Sequence, residues 1–197
     1  TYGYNRPTLG QSTIAAIIRA AHENKKMVII HAASLENCLF AIKNGVDGLA
    51  HLFFNDDFDP DFGRTAAENE CFVIPTLSVL EGMSGKKDSG ILAEDPHLRP
   101  YLKPGDVQNL KMNFPFHTGE AAYSAAEKAV NQLKQAKVPI LAGTDAPNPG
   151  TANGASIHRE MKLLVDAGLT PLEALRSATS VPAEIFGLVN RGRIKPG

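Results

Sequence analysis

The 197-residue chain is long enough for one sizeable core, and its 43% hydrophobic and 21% charged residues are ordinary for a globular protein. A net charge of −1 gives no electrostatic reason to bind nucleic acid or an anionic membrane, and no apolar stretch is long enough to span a bilayer. Two cysteines are too few for a disulfide framework.

Short apolar runs alternate with longer amphipathic segments, which is the pattern of parallel β-strands joined by helices. Strands buried on both faces are predicted for MVIIHA at 27–32, DGLAHLF at 47–53, CFVIPTLS at 71–78 and VPILAGTDA at 138–146. Helices are predicted over 12–24, from Ser34 to a stop at Gly45, over 120–136, and as two or three segments after residue 154. In the last of these regions Thr170, Pro171 and Glu173 form a capping box. The sequence therefore predicts an α/β fold.

Two further segments depart from this alternation. Residues 79–118 are polar, with glycine and proline scattered through them, and are predicted to be an insertion between the third strand and its helix. Insertions of this kind often cover a site. Residues 188–197 are rich in turn-forming types and are interpreted as a stub that leads into a small β domain absent from this chain.

Three ionisable side chains stand at the carboxyl ends of predicted strands. His31 ends the first run, His51 lies in the second, and Asp145 lies at the end of the fourth. Functional groups of parallel α/β folds collect at that edge, and imidazole and carboxylate groups suit a divalent metal such as zinc. Each residue alone also fits an ordinary structural role: a histidine bonded to a loop, or an aspartate that accepts turn N–H groups.

These residues carry a resemblance to a known family. VIIHA, GLAHLF and LAGTDAP, followed by HREMKLLVDAGLTPLEALRSATSVPAEIFGL and RGRIKPG, resemble the C-terminal half of a metal-dependent amidohydrolase barrel. The nearest branch includes imidazolonepropionase and prolidase-like dipeptidases. The resemblance covers residues 1–197 and implies a partial (β/α)8 TIM-type barrel, with strands five to eight and their helices.

The resemblance also implies roles for the strand-end residues. His31 matches the metal ligand of strand five, His51 that of strand six, and Asp145 the acid of strand eight, which touches the metal and carries a proton. The implied cofactor is a divalent metal, with zinc favoured and one or two ions in the complete protein. The paired histidines of strand one and the lysine of strand four are absent from residues 1–197. We therefore expect a fragment that is inactive alone and needs the missing N-terminal half or a second copy of itself.

The function that the resemblance implies is hydrolysis of an amide-type C–N bond. A ring deaminase or an imidazolonepropionase-like enzyme is the alternative, but such members usually place an acid or amide shortly after the strand-five histidine, where this chain has Ala32, Ala33 and Ser34. A peptidase-like or general amidohydrolase is therefore favoured. A second alternative is a catalytically incomplete module that serves only assembly or binding.

Three more residues are weaker candidates for substrate binding. Tyr4 and Arg6 follow the missing strand four, and a guanidinium group suits a substrate carboxylate, although a solvated loop explains both residues equally simply. His158 lies near the start of the helix after Asp145 and faces either the strand ends or solvent. Thr76 follows the third strand and is a minor candidate for lining the cavity. The compartment is open, with the cytoplasm favoured.

Overall fold

The computed structural model describes residues 9–55, 57–86 and 90–196. Its sheet has three parallel strands in the order β1 (Ile29–His31), β2 (Gly48–Ala50) and β3 (Phe72–Ile74). The α-helices are α1 (Gln11–Glu23), α2 (Leu35–Lys43), α3 (Phe62–Glu68), α4 (Leu77–Ser84), α5 (Ile91–Glu94), α6 (Pro104–Leu110), α7 (Glu120–Gln135), α8 (Ser156–Asp166), α9 (Pro171–Ser177) and α10 (Ser180–Ile185). A short 3-10 turn covers Arg99–Tyr101.

The strand register sets the edge at which functional residues meet. His31 pairs with Ala50, and Ala50 pairs with Ile74, so the three strands end at the same level. Leu49 and Val73 are fully buried at the centre of the sheet, as expected for strands that are covered on both faces. The residues that follow each strand therefore emerge side by side.

The fourth predicted strand is much shorter than the apolar run over 138–146. Only Ile140 pairs with the sheet, in a parallel bridge to Val73 that is flanked by bonds from Val73 N–H to Pro139 O and from Leu141 N–H to Val73 O. Pro139 has no N–H to donate, and the N–H of Ala142 donates to Ser177 O instead of to a strand. The run thus lies beside β3 as predicted, but it does not extend the ladder.

The predicted strand over 71–78 is wrong at its end. β3 ends at Ile74, and α4 begins at Leu77 after a left-handed residue, Thr76. Residues 79–84, which the sequence places in a polar insertion, complete α4, and this helix packs in the main core through Val79, Leu80 and Met83. That the remaining residues up to 118 are an insertion covering a site stays a prediction.

The helices pack against the sheet through small residues as well as large ones. Buried alanines give α7 a flat face, and α3 lies against it at Gly63, where a Cβ atom would meet the backbone of Gln132. The predicted capping box is confirmed, because Thr170 Oγ1 accepts from Glu173 N–H while the Glu173 carboxylate accepts from Thr170 N–H. No helix in the described part of the chain is long and apolar enough to cross a membrane.

Candidate active site

The three side chains predicted to converge lie together beyond the carboxyl edge of the sheet. His31 ends β1, His51 follows β2 directly, and Asp145 follows the segment that is bridged to β3. A hydrogen bond of 2.7 Å joins His31 Nδ1 and His51 Nε2, and Asp145 Oδ2 lies 3.9 Å from that same His51 nitrogen. His51 is therefore the central member of the cluster, with the other two side chains beside its Nε2 atom.

The imidazole of His51 is held at both nitrogens. It is only 8% exposed, and its Nδ1 atom lies 2.8 Å from Thr76 Oγ1 at hydrogen-bond distance. Burial lowers the pKa of His51, and the neighbouring Asp145 charge opposes that shift. The ring is therefore held largely neutral near pH 7, so that one nitrogen keeps a lone pair for a ligand or a proton.

Three residues at this edge have left-handed backbone conformations. The φ angles are 76° at His51, 52° at Thr76 and 52° at Asp145. Positive φ is uncommon for residues with a Cβ atom, and for a β-branched residue such as Thr76 it is a genuine outlier. Such conformations persist only where the surrounding structure imposes them, and they concentrate at functional sites. The chain is thus turned sharply at the end of each of three neighbouring segments.

Asp145 is restrained by a residue that sequence reasoning missed. The Nδ2 atom of Asn148 donates to both Asp145 Oδ2 and Asp145 O, each at 2.7 Å. The Asp145 side chain is one-third exposed, so its carboxylate remains accessible while Asn148 fixes its direction. The only signal in the sequence is the spacing of DAPN, which is also typical of an ordinary turn.

The donor chemistry of the cluster suits zinc, because it combines two imidazole nitrogens with a carboxylate oxygen. In the described residues, however, no group of three or more His, Cys, Asp or Glu side chains is arranged to hold a metal ion. In this structure His31 Nδ1 and His51 Nε2 are joined to each other by a hydrogen bond. The ligand roles of His31, His51 and Asp145 remain a prediction.

The structure describes one of the three substrate-binding candidates, His158. Tyr4 and Arg6 lie outside the described residues. His158 is exposed on α8 and lines a cavity of about 410 Å³ that His31, His51 and Asp145 do not line. The other lining residues are Ile91, Leu92, Asp95, His97, Leu98, Arg159 and Lys162. Thr76, a minor candidate from the sequence, contacts His51 Nδ1.

Imidazole and carboxylate side chains gathered beyond the ends of parallel strands occupy the edge at which α/β folds place functional groups. The particular family follows from comparison with known proteins. The sequence pattern of the Amidohydrolase family matches residues 1–197, and the chain therefore belongs to that family.

Individual relatives match parts of the chain. An imidazolonepropionase of Pyrobaculum arsenaticum is 41% identical over 70 residues, which are 34% of this chain and 17% of that protein. An adenine deaminase of Ligilactobacillus salivarius is 36% identical over 58 residues, which are 29% of this chain and 10% of that protein. The chain therefore matches less than one fifth of the length of either relative.

The fold is similar to that of a solved peptidase. A crystal structure of a Xaa-Pro dipeptidase with bound methionine in the active site superimposes with a TM-score of 0.64 at 22% identity, over 99% of this chain and 42% of that one. At this identity the likeness concerns the fold alone. The predicted α/β class is confirmed, and the chain spans less than half of the dipeptidase structure.

Proposed function

We propose that this chain carries part of the active site of a metal-dependent hydrolase that cleaves an amide-type C–N bond. The observation that supports this proposal is the meeting of His31 Nδ1, His51 Nε2 and Asp145 Oδ2 at one edge of the sheet of an amidohydrolase-family fold. Amidohydrolases generally use divalent metals, and nitrogen and carboxylate donors favour zinc among them.

His31, His51 and Asp145 would hold the cation, which when bound polarises a carbonyl group and lowers the pKa of water towards about 7. Two imidazoles joined by a hydrogen bond share one proton between the facing nitrogens, so holding a cation requires that proton to move to the outer nitrogen of His31. The contact from His51 Nδ1 to Thr76 allows His51 to keep its own proton on the far side of the ring.

Asp145 is the proton carrier in this proposal. Its carboxylate is partly exposed and is directed by Asn148, so it can take a proton from the attacking water and pass it to the leaving nitrogen. Asn148 donates to Oδ2 and leaves the Oδ1 lone pairs for the reacting groups. The same carboxylate thus serves as base and then as acid.

The remaining parts of the site belong to residues outside this cluster. We propose that β1, β2, β3 and the Ile140 segment are strands five to eight of a barrel, and that further ligands come from its other half or from a second copy of the chain. The 42% coverage of the dipeptidase structure supports this arrangement. On this proposal the chain alone is inactive.

An acyclic amide is the favoured substrate class. Ala32 is buried and Ala33 has no titratable group, while Ser34 is engaged at the start of α2, where its Oγ atom accepts from Asn37 N–H. None of these three residues offers the acid that a ring substrate needs for protonation. The partial identity to an imidazolonepropionase and an adenine deaminase supports the alternative, a ring hydrolase or deaminase.

Metal binding tests the proposal against an assembly-only module. Zinc content and zinc affinity would be measured for the full natural protein and for His31→Ala, His51→Ala and His22→Ala variants. His22 is the matched control, because it also contacts an aspartate, Asp47, at 2.9 Å, but lies at the end of α1. We expect zinc loss in the first two variants and none in the control. Equal zinc binding by all proteins would refute the proposal.

Substrate class is tested by a panel assay on the zinc-loaded protein. Dipeptides with a C-terminal proline and N-acyl amino acids represent acyclic amides, while adenine and an imidazolone represent ring substrates. Turnover confined to the ring compounds would replace the favoured class with the alternative.

A further inference from the structure

A fully buried carboxylate lies one helix behind the candidate site. Glu160 of α8 has no exposed surface, and its two oxygens accept hydrogen bonds from two consecutive backbone groups at the start of α4. Oε1 accepts from Leu77 N–H at 2.9 Å, and Oε2 accepts from Ser78 N–H at 2.8 Å. The first N–H groups of a helix have no partner within the helix, and these two are bound by a residue from a distant part of the chain.

Because Glu160 binds these N–H groups, the Thr76 side chain is not needed to cap α4. Thr76 precedes α4, and a threonine at that position normally caps the helix with its own hydroxyl group. Within the described residues Thr76 makes no such side-chain cap, and its backbone is left-handed, with φ 52° and ψ 45°. Its Oγ1 atom contacts His51 Nδ1 at 2.8 Å instead. Glu160 thus caps α4 in place of Thr76, and the Thr76 hydroxyl group contacts His51 instead.

We propose that Glu160 is a positioning residue: by binding Leu77 and Ser78 N–H it fixes Thr76 in the left-handed conformation that orients the His51 ring. The ring then presents Nε2 towards His31 and Asp145. What Nε2 does there depends on the proposed function, whereas the orientation of the ring does not.

A second buried carboxylate provides a matched control. Glu81 is 2% exposed on α4 and faces the same neighbour, α8, but it binds the side chain of Arg159, with Nε 2.9 Å from Oε2. Replacing either glutamate with glutamine removes one buried carboxyl group between α4 and α8. Only the replacement of Glu160 affects the first N–H groups of α4: glutamine keeps one acceptor oxygen and places an NH2 donor against the other N–H group.

The experiment compares Glu160→Gln with Glu81→Gln in the full natural protein. Zinc affinity is measured by competition with a chromophoric chelator, and ¹⁵N NMR of labelled histidine reports the tautomer of His51 in the metal-free protein. We expect E160Q to weaken zinc binding by about tenfold or more, as loss of partners behind metal ligands does, and to shift the His51 nitrogen signals. E81Q should keep the native signals and an affinity within about twofold of native, because it leaves the support behind the ligands intact.

Equal zinc affinities and equal histidine spectra in E160Q and E81Q would overturn the inference, whatever their stabilities. If E160Q does not fold, Glu160→Asp and Glu81→Asp replace the pair, and the same difference between them is required. His31→Ala separates the two proposals: native zinc affinity in that variant defeats the proposed function, whereas loss of zinc there with no contrast between E160Q and E81Q defeats only the role of Glu160.

Discussion

Asp145 Oδ2 lies 3.9 Å from His51 Nε2, although the two residues follow different segments of the sheet. Both residues have positive φ angles, so the backbone turns sharply to bring their side chains to the same point. This contact joins a group suited to binding a cation with a group suited to carrying a proton.

Asp145→Asn should therefore abolish most turnover. The amide keeps the size of the side chain and its contact with Asn148, but it cannot take a proton, so we expect kcat to fall by about 10²–10⁴-fold with a much smaller change in KM. Steady-state kinetics of the full natural protein on an acyclic amide substrate measures this. Asp166→Asn is the control, because Asp166 is an exposed carboxylate that pairs with Lys162 at the end of α8. Turnover in D145N equal to that of the control would remove Asp145 from the mechanism.

Thr76→Val should show how much the hydroxyl group of Thr76, as distinct from the shape of the side chain, contributes to zinc affinity. Valine is nearly the same size and is also β-branched, but it cannot bond His51 Nδ1, so zinc affinity should fall by roughly tenfold, as for other lost partners of metal-binding histidines. Thr76→Ser keeps the hydroxyl group and should retain most of the affinity. Calorimetric titration of the two variants with zinc compares them directly, and similar losses in both would show that the hydroxyl group is not what matters.

The sequence predicts which residues form the cluster but not which residues hold them in place. His31, His51 and Asp145 could be selected because each stands where an apolar run ends, and parallel strands bring such ends together. The run over 71–78 contains Pro75, Thr76 and Ser78 after its apolar first half, but nothing in this local pattern specifies a left-handed residue at Thr76. That turn depends on Glu160, which is distant in the sequence and becomes a neighbour only through the packing of α4 on α8.

The fourth strand shows the same limit of local pattern. Residues 138–146 have the composition of a buried strand, yet hydrogen bonding to the sheet stops near Leu141, because the next N–H group, that of Ala142, is bound by Ser177. Hydrophobic composition predicts that a segment is buried beside the sheet, but the partner of each backbone group is decided by tertiary contacts.

Glu160 should make stability depend on pH. Burial raises the pKa of Glu160 from 4.5 to about 7, so the folded protein holds this proton more tightly than the unfolded chain does. The stabilising contribution is therefore complete below about pH 4.5 and is lost as the pH rises through about 7. The loss is on the order of 3 kcal/mol by linkage. Urea unfolding of the native protein and of Glu160→Gln between pH 4.5 and 8 gives the difference curve, which should fall with pH for the native protein relative to the variant. If the free energy of unfolding changed with pH in the same way in both proteins, the raised pKa of Glu160 would be contradicted.

Gly63→Ala should destabilise the packing of α3 on α7. A Cβ atom at Gly63 would meet the backbone of Gln132, which cannot move aside as a flexible side chain can, so we expect a loss of about 1–3 kcal/mol in the free energy of unfolding. Gly105→Ala in α6 is the matched control, because a Cβ atom there meets no atom of the described chain within 4 Å. That substitution should leave stability unchanged or raise it by up to about 1 kcal/mol, since alanine favours the helix over glycine. Chemical denaturation measures the free energy of unfolding of both variants. Equal values for G63A and G105A would contradict the close approach of α3 and α7 at Gly63.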